Sequence, residues 1–194
     1  MQSQETDFNN LTSEIINSLP ILSFTGEIHH IDNDDKLYAL DLSDKAILGF
    51  DIEIKPSFKK NITYPPSLIQ LADDKDAYLF YLNRLKDKNQ IVDILNNQDL
   101  LKVGSGIDDD IIKLEKLFNV KILRETFIDI QRLIKPLNLP KTNLRFLTAL
   151  FLKRRIIKSS QTSNWSRYPL TEKQIIYAAT DASVCYQIYK YYIK

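Results

Sequence analysis

Cysteine is almost absent. Cys185 is the single one in 194 residues, which rules out an internal disulfide and suits a reducing compartment. Long hydrophobic runs are missing too. Although 44% of the residues are hydrophobic, they fall in short stretches that never approach the roughly 18 to 20 needed to cross a bilayer, so no membrane partner is expected. The first 20 residues hold no Lys or Arg and carry Glu5, Asp7 and Glu14, a composition that fits neither a secretory signal nor an Arg-rich transit peptide. An intracellular protein is the expectation. There is no internal repeat and no low-complexity tract, and 194 residues fit one domain with one core.

Acidic residues are missing from one long stretch. Between Asp129 and Glu172 there are none, while Arg132, Lys135, Lys141, Arg145, Lys153, Arg154, Arg155, Lys158 and Arg167 give that stretch a charge of +9. The remainder carries 17 basic and 25 acidic residues, so a net +1 conceals two halves of opposite sign. Such asymmetry fits an anionic partner on one side and a cation-binding acidic site near another, or a plain solvated basic surface.

Residues 1–19 are rich in Asn, Ser and Gln, and read as a polar, disordered leader with at most one weak helical turn. The domain is expected over 20–194. ILSFTGEIHHI reads as a strand, KLYALDL as a short helix, and AILGFDIEI as the nearly continuous apolar strand of a sheet centre. SLIQLA and DAYLFYL follow as strands, RLKDKNQIVDILNN as a helix, LLKVGS as a buried strand and DDDIIKLEKLF as a helix. From Asp129 onward the pattern is helical, through NLRFLTALFLKRR to a terminal helix that Thr171 and Gln174 start with a capping box. The expected class is α/β, a mixed sheet flanked by helices.

Asp51 and Glu53 stand at i and i+2 in an apolar strand, so both leave one face of the sheet. Two like charges there call for a cation unless the strand end opens to water. In the run Asp108, Asp109 and Asp110, with about 100° per residue, Asp110 lies nearest the apolar stripe of Ile107, Ile111, Leu114 and Phe118. Asp109 then points to solvent and Asp108 caps the helix. Tyr177 and Asp181 stack one turn apart, opposite the stripe Ile175, Ala179, Ala182 and Tyr186, and would face a cleft. His29 and His30 sit on alternate sides of a strand without ligand-like spacing, and are expected to be structural. Trp165 is expected to pack the terminal helix.

In this order the segments GFDIE, KVGSGIDDDIIKL and YAATD, with the stretch TSNWSRYPLTEKQIIYAATDA, resemble the DEDDy 3′-5′ exonucleases. The likeness is strongest to the exonuclease domain of the Werner syndrome protein and its stand-alone relatives. The resemblance implies an RNase H-like fold and a catalytic set of Asp51, Glu53, Asp110, Tyr177 and Asp181. It also implies two Mg2+ or Mn2+ ions held by the four carboxylates, release of nucleoside 5′-monophosphates, and a nucleic acid partner, DNA before RNA. Nuclear location comes first on the same ground, with cytoplasm the alternative. Lys158, Arg154 and Arg155 are the expected backbone-phosphate contacts. Ile54, where relatives carry Trp, would border the terminal nucleotide. The competing readings are an RNase D-like exoribonuclease and a catalytically inactive nucleic-acid-binding module.

Overall fold

The computed structural model describes residues 11–59, 62–157 and 159–193. Six strands form one mixed sheet: β1 (Glu27–Ile31), β2 (Ile47–Ile54), β3 (Pro66–Ala72), β4 (Asp76–Tyr81), β5 (Leu101–Gly104) and β6 (Phe127–Asp129), in the spatial order β1-β4-β3-β2-β5-β6. Strands β3 and β4 form an antiparallel pair, as do β2 and β3, while β1–β4, β2–β5 and β5–β6 are parallel. The apolar run AILGFDIEI thus lies inside the sheet, as its composition requires. Helices flank it: α1 (Ser13–Ser18), α2 (Asp34–Tyr38), α3 (Lys88–Asn96), α4 (Asp108–Phe118), α5 (Ile130–Leu133), α6 (Leu144–Leu152) and α7 (Glu172–Tyr192).

The two faces of the sheet are covered differently. Leu48, Phe50 and Ile52 of β2 join Ile69, Leu71 and Phe80 in a core closed by Ile91 and Leu95 of α3 and by Ile111 and Leu114 of α4. Helices α6 and α7 cover the opposite face, where Val103 of β5 meets Phe146, Leu147, Val184 and Ile188. The terminal helix starts at the predicted capping box, with Gln174 N donating to Thr171 Oγ1 and Thr171 N to Gln174 Oε1. Trp165 is 2% exposed and packs beside Leu170 and Ala178, as expected. Among the described residues no helix is long and apolar enough to cross a membrane.

Several elements differ from the sequence reading. Residues 13–18, assigned to a disordered leader, form α1, because Thr12 caps Ile15 N and Ile16 is buried with Phe146 and Ile188. Strand β1 starts six residues later than expected. Leu22 N bonds Arg155 O and Phe24 N bonds Thr180 Oγ1, so this segment is tied to the helical face instead of the sheet edge. Strand β6 is three residues long, too short for periodicity to reveal it. Helix α6 ends at Leu152 with Lys153 in the left-handed conformation, so Arg154 and Arg155 follow the helix and are not part of it.

Candidate active site

Alternation along β2 sends Asp51 and Glu53 to the face opposite Phe50 and Ile52, toward α7. Gly49 shares that face. A Cβ there would lie 1.8 Å from the Ala182 carbonyl oxygen and 2.9 Å from Tyr186 N, so only glycine lets the α7 backbone rest on the strand. This close approach delivers Asp181, the neighbour of Ala182, onto the strand acids. Carboxylate oxygens of Asp51, Glu53 and Asp181 all lie within 4.8 Å of one another, although Glu53 is 8% and Asp181 7% exposed.

Tyr177 and Asp181 both line a cleft, as expected, and Ala179 and Ala182 of the expected stripe are buried, but the rest of that stripe needs correction. Asp181 lies with Ala178, Ala182 and Cys185 on the sheet-facing side, while Ile175 and Tyr186 of the presumed core stripe are only half-buried. The helix is wrapped by sheet and helices, so apolar and polar positions no longer mark inside and outside.

The phase of α4 agrees with expectation. Asp109 is exposed, whereas Asp110 is half-buried, with Lys113 Nζ 3.0 Å from its Oδ1. Asp110 stands apart from the three-way group, yet its charge raises the proton affinity of both Asp51 and Glu53. Asp108 does not cap: the N-cap is Ile107, without a side-chain bond, and Asp108 pairs with Arg132 instead. The loop before α4 is fixed from β6. Asp129 Oδ1 accepts from Gly106 N at 2.9 Å and from Gln131 N at 2.8 Å. Gly106 has φ +75°, and a Cβ there would meet Gln131 Nε2 at 2.9 Å.

The acids open into a cleft of about 310 Å3 whose walls also include Ser105, Gln131, Asn143, Arg145 and Gln161. Of these wall residues only Arg145 was named from sequence, as part of the acid-free basic stretch, since polar residues at strand and helix ends carry no periodic signal. Burial first, then Asp181 and Asp110, pushes the Asp51 carboxyl well above the usual range. Burial and the same crowding push Glu53 up to about 10. Tyr177 lines the cleft too, and burial, then Asp181 and Glu53, hold its phenol far above the ordinary value.

The expected phosphate contacts fare unevenly. Lys158 lies outside the described residues. Arg154 is exposed, whereas Arg155 is committed to structure, its Nε donating to Leu19 O at 3.0 Å. Ile54 packs against the core that holds Phe50 and Ile52 and is not among the residues that line the acidic cleft. Both histidines are tied into the structure, His29 Nε2 2.9 Å from Asp76 Oδ1 and His30 Nδ1 2.7 Å from the Tyr81 hydroxyl. Glu27 also approaches His29, but Lys45 Nζ already holds the second Asp76 oxygen at 2.8 Å.

Comparison with known proteins agrees with this geometry. A family model described as 3′-5′ exonuclease matches residues 28–192. The bifunctional 3′-5′ exonuclease/ATP-dependent helicase WRN of Mus musculus is 33% identical over an alignment of 190 positions that covers 92% of this chain and 13% of that protein. An exonuclease mut-7 homolog of Aedes aegypti is 30% identical over an alignment of 216 positions that covers 97% of this chain and 30% of that protein. The chain therefore spans less than a third of either relative. Among solved structures, the Aedes aegypti Nibbler EXO domain superposes with a TM-score of 0.77 at 28% identity, covering 88% of this chain and 90% of that one. Escherichia coli RNase D, at 22% identity and a TM-score of 0.75 over 86% of this chain and 44% of its own, shares the fold. An RNase H-like sheet that gathers Asp51, Glu53 and Asp181, and a family match across nearly the whole described domain, make this chain a member of the DEDDy 3′-5′ exonucleases.

Proposed function

We infer that this exonuclease removes nucleotides from a nucleic-acid 3′ end by metal-dependent hydrolysis, releasing nucleoside 5′-monophosphates. The observation that carries the reading is the convergence of Asp51, Glu53 and Asp181. Three crowded carboxylates repel one another, and among the described residues neither Asp51 nor Glu53 has a Lys or Arg in an ion pair. A divalent cation would neutralise such a crowd of carboxylates, and all-oxygen donors suit Mg2+ or Mn2+ better than zinc. Asp51, Glu53 and Asp181 would hold one ion, and Asp51 with Asp110 a second, in part through water. Bound there, the ions would supply the positive charge that stabilises the phosphate in its transition state and eases ionisation of the attacking water.

The chain's own side chains do the positioning. Tyr177 stays a neutral phenol because burial and the carboxylates oppose its ionisation, so it serves as a hydrogen-bond partner that orients the attacking water rather than as a base. Glu53 helps to orient that water. Arg154 and Lys158 remain the proposed contacts to the substrate backbone.

DNA is the first expectation for the substrate, in an intracellular and first of all nuclear setting. RNA is the second reading, favoured by a Ribonuclease D of Serratia proteamaculans that is 30% identical over 143 residues, 71% of this chain. An inactive binding module is disfavoured by the presence of all five residues. Digestion of matched 3′-labelled DNA and RNA, single- and double-stranded, with Mg2+ or Mn2+ and with excess chelator tests the reading. Hydrolysis only with metal, and only from 3′ ends, is expected; full hydrolysis in chelator would overturn it.

A further inference from the structure

Arg145 is a cation in a cleft of acids, and its partner is neutral. It is the second residue of α6, where Asn143 caps the helix by accepting from Phe146 N at 3.1 Å, and this fixed helix start places Asn143, Leu144 and Arg145 together on the cleft wall. One guanidinium nitrogen of Arg145 donates to Asn17 Oδ1 on α1, 128 positions away in sequence. Among the described residues no carboxylate within ion-pair distance neutralises Arg145, although Asp51, Glu53 and Asp181 line the same cleft. An amide oxygen can aim a guanidinium without cancelling its charge. The remaining donors of the fork match the geometry of a phosphate. Helix α1 is itself anchored by Ile16 in the core and by the Arg155 bond to Leu19 O, so Asn17 is a fixed support.

We propose that Arg145 binds a backbone phosphate of the substrate strand inside the cleft, and that Asn17 of α1 is the positioning residue that holds the guanidinium there. The N-terminal helix is thereby part of the nuclease site. This inference rests on the reading of the cleft as the place where a nucleic acid strand enters. The two can fail separately.

Four full-length variants test it: Arg145→Ala, Arg145→Lys, Asn17→Ala and Asn17→Asp. Each is measured for melting temperature, KM and kcat on whichever polymer the wild type cleaves, and oligonucleotide binding in Ca2+ at several salt concentrations. Arg145→Ala should weaken binding about 10- to 100-fold, the range of one charge-assisted contact. It should also flatten the salt dependence by about one phosphate contact, and raise KM by a larger factor than it lowers kcat. Arg145→Lys should restore the salt slope but only part of the affinity, since the fork is lost. Asn17→Ala should weaken binding about 2- to 10-fold with the slope retained, as expected for loss of one neutral hydrogen bond. Asn17→Asp keeps the bond but neutralises the charge, so it should flatten the slope. Folded Arg145→Ala and Asn17→Asp chains with wild-type KM, affinity and salt slope would overturn the proposal, as would variants that lower only the melting temperature. A wild type that cleaves neither DNA nor RNA would instead overturn the reading of the cleft, and this inference with it.

Discussion

Asp109 and Asp110 are chemically identical neighbours with different surroundings, one exposed and one half-buried beside Lys113. Asp110→Asn should therefore lower turnover by about two orders of magnitude or more, the scale of losing a group that holds a catalytic ion. Asp109→Asn should stay within about twofold of wild type, since a solvent-facing charge there touches nothing in the cleft. Steady-state rates of the two variants decide the matter, and a dead Asp109→Asn would invert the assignment. Lys102 carries a second residue-scale prediction. It is fully buried on β5, its Nζ donating to the Asn97 carbonyl at 2.9 Å beside the Phe127 ring, and burial lowers its pKa from 10.5 to about 8. The unfolded chain therefore holds this proton more tightly, so the contribution of Lys102 to stability rises as pH climbs from about 8 to about 10.5, and the cost of charging the lysine is present in full below that window. Lys102→Met should stabilise the fold by about 2 kcal/mol at pH 7 and flatten that rise. Denaturant unfolding at pH 7, 9 and 10.5 measures both effects, and a destabilised Met variant would show that the Asn97 bond outweighs the desolvation.

Helix α7 and strand β2 meet through Gly49, and the site depends on that contact. Gly49→Ala would drive a methyl group into the Ala182 carbonyl, so the elements must part. A loss of about 3 kcal/mol or more is expected from such overpacking. Turnover should also fall in any chain that still folds, because Asp181 moves away from Asp51 and Glu53. Metal should oppose the repulsion among these elements. A carboxylate whose folded pKa is raised holds its proton more tightly when folded, so its contribution to metal-free stability is greatest below the ordinary Glu value of 4.5. It is lost progressively as pH rises toward about 10 for Glu53. Saturating Mg2+ or Mn2+ should raise the melting midpoint by several degrees at pH 8 and by clearly less at pH 5, at about 2 to 4 °C per kcal/mol for a chain of this size. Equal shifts at the two pH values would remove the carboxylate cluster as their cause. The short helix α1 is structural as well. Ile16→Ala should cost about 2 to 4 kcal/mol by opening a cavity against Phe146 and Ile188, measurable by denaturant unfolding.

At the scale of the molecule, the sheet carries Asp51 and Glu53, helices α4 and α7 bring Asp110 and Asp181, and the stretch between Asp129 and Glu172 carries only bases. Legibility in sequence followed local regularity. Strands β2, β3 and β4, helix α4 with its inward Asp110, and the Thr171–Gln174 start of α7 were readable because each is set by alternation, helical phase or capping within a few residues. Helix α1 was not, since one buried isoleucine in a polar segment gives no periodic signal until Phe146 and Ile188 arrive from far along the chain. The buried stripe of α7 was legible only in part for a related reason: a helix enclosed on most of its surface has no polar face to read.

The sequence by itself determined which chemistry is present, because the carboxylates, the tyrosine and their order along the chain are covalent facts, and short-range stereochemistry fixed which of them share a strand face or a helix turn. Only the tertiary structure decided which groups act together. Glycine at position 49 matters through a carbonyl oxygen 133 positions away. Asp129 steadies the loop before Asp110 across a parallel strand pair. Arg145 reaches the cleft on a helix cap while Asn17 holds it from the other end of the chain. Contacts of that separation leave no local pattern, because they arise when the chain buries its apolar surface, and burial is a property of the whole fold.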